Sequence, residues 1–202
     1  MKVFFKKIIK WLMAKYSTAV ISKKQKRNLF LRENKVSDFQ RWRNNRELYE
    51  DWNERTAILG DYIKPNASII EFGAGKMFLK KYLSNYKKYI PSDIVNRYEE
   101  TIICDLNTKI NFDLSEFDTA VFSGVLEYVY NVDDVFQQLG GSINQVVLSY
   151  SCSDVVKLSR DKNGWLSDCT KLELEKIFEK NNYEINNYKE WRKQSIYNLI
   201  KK

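Results

Sequence analysis

A short apolar run that stops at an acidic or small polar residue recurs along this chain, and that recurrence constrains the fold more than any other feature. ASIIEF (67–72), KYIPSD (88–93), ETIICD (100–105) and FDTAVFS (117–123) follow the plan, and NQVVLSY (144–150) adds a fifth run. Runs this short and this continuously apolar read as strands buried on both faces, the mark of a parallel sheet. Helical periodicity fills the gaps. A helix is expected over 76–84, another at VDDVFQQL (132–139), and an amphipathic one at LSDCTKLELEKIFEKN (166–181) with Leu172, Leu174, Ile177 and Phe178 as its buried face. NYEINNYKEW and QSIYNLIKK then alternate as an antiparallel strand pair would. Strands alternating with helices predict an α/β fold, a sheet covered on both faces.

Upstream of the strands the texture differs. From Asp38 to about Tyr62, Phe39, Trp42, Leu48, Tyr49, Trp52, Ile58, Leu59 and Ile63 fall at helical spacing, with Ser37 or Asp38 as the cap. Residues 2–16 place Phe4 or Phe5, Ile8, Ile9, Trp11 and Leu12 on one helical face and lysines on the other, and residues 22–35 read as a polar, basic connector. Residues 1–35 hold eleven Lys and Arg against one acid, Glu33, a net +10; the whole chain is +8, so residues 36–202 carry −2. The basic character therefore belongs to the beginning of the chain. This divides it into a basic amphipathic arm (1–36) and a body (37–202) whose first part (37–64) is a helical cap.

No apolar run approaches the ~20 residues of a spanning helix, nor the ~7–15 uninterrupted residues of a signal peptide. A cytoplasmic body is expected, with a peripheral membrane contact through residues 1–35 at the inner membrane face. At 202 residues the chain suits one domain of ordinary size. It has no histidine, which removes Ser-His-Asp and Cys-His catalysis and most zinc sites. Its cysteines, Cys104, Cys152 and Cys169, are odd in number and scattered, which argues against a disulfide framework or a CxxC metal site. No metal is expected.

Ligands of an open parallel sheet bind beyond the carboxyl ends of its strands. The residues found there are Glu71 with Gly73 and Gly75, Asp93, Asp105 with Leu106, and Ser123, Gly124 and Glu127. Glycines at 73 and 75 permit a tight turn and close approach to backbone. Asp93 lies 22 residues after Glu71, near the spacing at which an acid takes ribose hydroxyls. Asp105 with a neighbouring N–H suits the amino group and ring nitrogen of an adenine. So many acids tolerate a cationic cofactor better than a pyrophosphate. Trp42, Trp52, Trp191 and Gln194 read as packing and sheet residues, although Trp52 and Arg55 stand just before the first strand, beside the ligand end of the sheet.

With these residues in place, the chain resembles the class I S-adenosylmethionine-dependent methyltransferases over roughly residues 50–200. EFGAG (71–75), which includes Ala74, is similar to the family's acid-x-Gly-x-Gly first motif, Asp93 falls at its ribose-binding acid, and CDLN (104–107) resembles its adenine-contacting segment. FDTAVFSGVLEYV (117–129) resembles the fourth strand and its turn, and GWLSDCTKLELEKIFEKNNYEI (164–185) the late helix and sixth strand. Two departures stand out: Met77 replaces the third glycine of the first motif, and Tyr128 stands where many members have histidine.

The resemblance implies a Rossmann-like, mostly parallel seven-stranded sheet and S-adenosylmethionine as cofactor, with S-adenosylhomocysteine as product. It implies in-line displacement at the sulfonium methyl. With no histidine, the base has to be a carboxylate, tyrosine or lysine. Glu127 at the mouth of the fourth strand is the first candidate, either as base or as a structural hydrogen-bond partner, with Tyr128 second. The acceptor expected is a small molecule or saccharide, phosphorylated or nucleotide-linked forms included, methylated on oxygen in bacterial surface-glycan synthesis. A nucleic-acid methyltransferase is the alternative that the basic arm suggests, against which the Asn/Asp-Pro-Pro-aromatic tetrad is absent. A nicotinamide oxidoreductase lacks its GxGxxG at Met77 and Phe78. A non-catalytic S-adenosylmethionine-binding protein is the remaining reading.

Overall fold

The computed structural model describes residues 2–202, and their side chains except those of residues 2–5, 17–22 and 24, so Phe4 and Phe5 of the expected apolar face lie outside the described residues. Seven strands form one sheet: β1 (Ala67–Phe72), β2 (Tyr86–Asp93), β3 (Ile102–Ile103), β4 (Thr119–Ser123), β5 (Gln145–Tyr150), β6 (Tyr183–Trp191) and β7 (Gln194–Lys201). Their order is β3-β2-β1-β4-β5-β7-β6. The first five run parallel, and β7 is antiparallel to both β5 and β6. Among the described residues six α-helices accompany them: α1 (Lys2–Asn34), α2 (Phe39–Trp42), α3 (Asn53–Asp61), α4 (Val132–Gln138), α5 (Arg160–Asn163) and α6 (Lys171–Lys180).

The two faces of the sheet follow from the period-2 alternation within each central strand. Ile69, Val121, Val147 and Ile196 point to one face and pack with Leu59 of α3 and with Leu79. Ile70, Phe72, Ala120, Phe122, Val146 and Leu148 point to the other, where Val135 and Phe136 of α4 and Leu174 and Phe178 of α6 close over them. Phe72 and Phe122 stack across β1 and β4 with centroids 5.0 Å apart. This is the doubly covered sheet that the strand–helix alternation predicts.

Several local expectations require correction. No α-helix spans 76–84; the chain makes a turn with Met77 at φ +54° and then a 3-10 turn over Leu79–Tyr82. The run at 100–105 shrinks to two strand residues, and the β2–β3 connection over 94–101 is shorter than the ~12 residues that a helical crossover needs. The sheet therefore ends in a bare edge, and Ile103 is exposed. The helical pattern of 38–62 breaks into α2, two 3-10 turns (Asn45–Glu47 and Glu50–Trp52) and α3. Asp38 is the cap of α2, accepting from the Arg41 backbone N–H at 3.0 Å. Residues 22–34 are not a connector but the second half of α1. In α6, a Thr170–Glu173 capping box starts the helix at Lys171 rather than at 166. Leu174 and Phe178, four residues apart, form its buried face, while Leu172 points to solvent.

Candidate active site

The strand order reverses between β1 and β4, and a cleft opens beyond their carboxyl ends. It measures about 1230 Å³ counting its open mouth. Its floor is the loops that follow β1, β2, β3 and β4; its roof is the segment from Asn28 to Thr56, with Gly164 and Leu166 at one side. Glu71, Gly73, Ala74, Gly75, Asp93, Asp105, Leu106, Ser123, Gly124 and Tyr128 all line this cleft. Glu127 does not.

The floor is fixed by backbone. Gly73 (φ +67°) lies against the loop after β4, where an added Cβ would sit 2.4 Å from Val125 Cγ2. Only glycine meets both demands. The Ala74 N–H donates to the Ser92 carbonyl at 3.0 Å and the Gly75 N–H to Asp93 Oδ2 at 2.8 Å, so the turn is sewn to the end of β2. Met77 takes the left-handed conformation that a third glycine would supply more cheaply.

The acids differ sharply in state. Glu71 is buried, accepts a hydrogen bond from the Tyr89 hydroxyl, and is pushed up to about 8 by loss of solvent, the Tyr89 bond opposing and the Asp93 charge adding to the shift. At neutral pH its carboxyl is largely protonated. Asp93 Oδ1 accepts from the Val95 N–H at 2.9 Å and pairs with Arg97 at 3.0 Å. Arg97 in turn donates to Asn45 Oδ1 at 3.1 Å and to the Trp42 carbonyl, tying the roof to this acid. Asp105 Oδ1 accepts from Ser37 Oγ at 2.7 Å and from the Asn107 N–H at 3.0 Å. Cys104 also reaches the cleft, but burial raises its thiol to about 11, which leaves it protonated and unreactive.

Sequence reasoning missed two residues that organise the site. Asn107 donates to Ser37 Oγ (2.8 Å) and to the Tyr128 carbonyl (3.1 Å), and its Oδ1 accepts from the Tyr130 N–H (2.7 Å). Arg97 is the other, and its i, i+4 offset from Asp93 is a signal only inside a helix, which residues 93–97 do not form. Trp42 and Trp52, read as packing residues, line the cleft instead. Gln194 is a sheet residue that also reaches the site, accepting from Arg55 Nη1 at 2.9 Å and donating to Ser151 Oγ at 3.0 Å.

Arg55 is the buried cation of the cleft. It is 4% exposed, donates to the Ser123 carbonyl at 3.1 Å, and covers Gly124 so closely that a Cβ there would lie 2.5 Å from Nη1. Among the described residues no carboxylate pairs with it within 4.0 Å, and its Nε has no partner. Thr56 Oγ1, one residue on, meets Ser123 Oγ at 2.9 Å.

Many solved structures share this architecture. A Burkholderia thailandensis 1,6-didemethyltoxoflavin-N1-methyltransferase, solved with its substrate and S-adenosylhomocysteine, aligns over 92% of this chain and 89% of its own, with TM-score 0.60 and 15% identity. The mitomycin 7-O-methyltransferase aligns over 90% of this chain and 67% of its own (TM-score 0.59, 10% identity). A Mesorhizobium loti S-adenosylmethionine-dependent methyltransferase covers 71% and 96% (TM-score 0.56, 12% identity). The fold is that of the class I S-adenosylmethionine-dependent methyltransferases. No protein-family model and no curated protein matches the chain.

Within the methyltransferase fold, the turn after β4 sends its two notable side chains different ways. Tyr128 faces the cleft, edge-on to Trp42 at 4.7 Å, with its hydroxyl 3.5 Å from Arg41 Nη2. Burial raises its pKa and the Arg41 charge opposes the shift. Glu127, 1% exposed, points behind the cleft wall: Oε1 accepts from the Ser151 N–H at 2.8 Å, and its carbonyl accepts from the Leu166 N–H at 2.6 Å. Among the described residues, its Oε2 has no hydrogen-bond partner.

Proposed function

We propose that this chain transfers the methyl group of S-adenosylmethionine to a small-molecule acceptor. The observation that carries the reading is a floor of Glu71, Gly73, Asp93, Asp105 and Gly124 at the switch point, roofed by a buried arginine without a carboxylate partner. The residues present fit the donor part by part. Arg55, with its unpartnered Nε, suits the α-carboxylate. Glu71, ionising in answer to a cation, suits the ammonium and sulfonium end; Asp93 suits the ribose hydroxyls, and Asp105 with the Leu106 N–H the adenine edge. When bound, the donor supplies an electrophilic methyl on sulfur. The chain's own work is to align the acceptor and limit water under the 28–56 roof, with the acceptor's proton released to solvent once the methyl has moved.

For the acceptor, the geometry supports Tyr128, a neutral phenol facing the cleft, as the side chain that orients it by hydrogen bonding, and Glu127 as a positioning residue that holds residues 151 and 166 and balances the Arg55 charge. Kinetics at saturating donor test this. Glu127→Gln, which keeps an oxygen for the Ser151 N–H, should lower kcat less than tenfold. A loss of a hundredfold or more, the scale of general-base removal, would return Glu127 to the role of base.

Flat aromatic faces at the mouth, from Trp42, Tyr49, Trp52 and Phe78, support a ring-shaped acceptor such as a saccharide unit methylated on a hydroxyl. The three free thiols support a reducing compartment for the reaction. Calorimetric titration with S-adenosylhomocysteine, followed by turnover against saccharide, phenol and carboxylate panels, tests both halves of the reading. Binding without turnover on any panel would leave a cofactor-binding protein only.

A further inference from the structure

The basic arm is the largest feature that methyl transfer does not absorb. Residues 6–16 of α1 are exposed throughout, including Ile9 (51%), Trp11 (56%), Leu12 (53%) and Tyr16 (75%). At about 100° per residue, Lys6, Lys7 and Lys10 share one arc of the helix, while Ile8, Ile9, Leu12 and Tyr16 share the opposite one. Trp11 stands at the border with the Lys15 ammonium 4.1 Å from its ring centroid. The first turn carries no acid. Lys6, Lys7 and Lys10 follow in the next turns, and no acid stands before Glu33, so this half of the helix presents positive charge with none of opposite sign on it.

The other end of α1 is anchored. Arg32 donates to Asp161 (2.6 Å) and to the Trp165 carbonyl (3.0 Å), the Tyr130 hydroxyl donates to the Leu31 carbonyl, and Asn28 and Leu31 line the cleft. One continuous helix thus runs from an exposed basic-and-apolar segment to the wall of the candidate active site.

We propose that α1 seats the chain on an anionic lipid surface and holds the mouth of the cleft beside it. The helix cannot cross a bilayer, since among the described residues none is long and apolar enough to do so. It has instead the make-up of an interfacial helix: lysines for the headgroups, and Trp, Leu and Ile for the acyl boundary. A second copy of this chain fits poorly, because the two arms would bring +10 against +10. Nucleic acid would satisfy the lysines and leave Ile9 and Leu12 in water. Resting on the methyl-transfer reading, the acceptor is then one presented at the lipid–water boundary.

Co-sedimentation of the full chain with vesicles of phosphatidylcholine alone, and of phosphatidylcholine mixed with phosphatidylglycerol, is the test. The chain should sediment with the mixed vesicles, in a salt-sensitive manner, and not with phosphatidylcholine. Ile9→Glu with Leu12→Glu should abolish sedimentation. Lys6→Gln, Lys7→Gln and Lys10→Gln together should weaken it about a hundredfold. All five side chains are exposed, so thermal unfolding should not move. Equal sedimentation with both vesicles, or sedimentation indifferent to the Glu pair, overturns the proposal. So does polyuridylate binding that the lysine variant loses and the Glu pair keeps, in the absence of vesicle binding. Titration of S-adenosylhomocysteine into the same preparations separates the two claims: intact donor binding with failed sedimentation removes only the lipid surface, and the reverse removes only methyl transfer.

Discussion

The floor and the roof of the cleft are built by different means. The floor is held by backbone geometry: left-handed residues at 73, 75 and 124, amide donors to Ser92 and Asp93, and contact between the turns after β1 and β4. The roof is held by side-chain tips reaching across long sequence separations, Ser37 to Asp105, Arg97 to Trp42 and Asn45, and Arg32 to Trp165. A backbone-held turn tolerates almost no substitution, whereas a roof pinned by separate side chains gives way one contact at a time. That division suits a site whose floor must present fixed amides while its cover admits a ligand.

The sharpest way to break the comparison is Gly73→Ala. The added Cβ meets a branched Val125 side chain at 2.4 Å on a φ of +67°, so overpacking and backbone strain together should cost about 3–4 kcal/mol. Chemical denaturation measures this, and donor affinity should fall beyond detection. A variant within 1 kcal/mol of the parent would show that the floor relaxes as readily as the roof.

Glu71 supplies the next largest effect. Its folded pKa, about 8, lies above the unfolded value near 4.5, so between these the folded chain holds a proton that the unfolded chain has released. Stability must therefore decline as pH rises from about 5 to 8, by on the order of 3 kcal/mol in the donor-free chain, and Glu71→Gln should remove this dependence. A cationic ligand favours the carboxylate, so below about pH 8 donor binding should release a proton, seen as a buffer-dependent heat in calorimetry.

On the roof, Arg55→Met should raise the Kd for S-adenosylhomocysteine by about 30-fold, the loss of one charge-assisted contact. Gly124→Ala, which displaces the Arg55 tip, should reproduce part of that loss. Smallest of all, Ser37→Ala and Arg32→Ala should each lower stability by about 1 kcal/mol or less and leave donor affinity nearly unchanged. An Arg32→Ala variant that lost donor binding outright would mean that the roof is a single unit rather than a set of separate pins.

Much of the floor was legible from sequence because its signals are local. β1, β4 and β5 announce themselves as apolar runs of the right length, the acids at their ends mark the carboxyl edge, and the alternation of 183–191 and 194–201 yields the antiparallel pair. The residues named from those strand ends line one cleft, except Glu127, which stands behind its wall. The errors share a different origin. The helix expected at 76–84 fails where Met77 turns left-handed, the run at 100–105 loses its pairing because the connection before it is short, and Leu172 faces out because the cap falls at Thr170. Each depends on a single capping, pairing or dihedral choice that apolar spacing does not encode.

What this sequence determined by itself was the layered α/β fold, the edge of the sheet that carries the site, and the segregation of positive charge into the first 35 residues, because strand burial, strand-end acids and composition are properties of short segments. Which way the side chains after β4 turn was decided only by tertiary structure: Glu127 goes behind the wall to the Ser151 amide and Tyr128 into the cleft. The same holds for the pairing of Asp93 with Arg97, the Asn107 staple and the reach of α1 to the cleft. Those arrangements join residues distant in sequence, and their direction is set by which donor lies opposite once the sheet has closed.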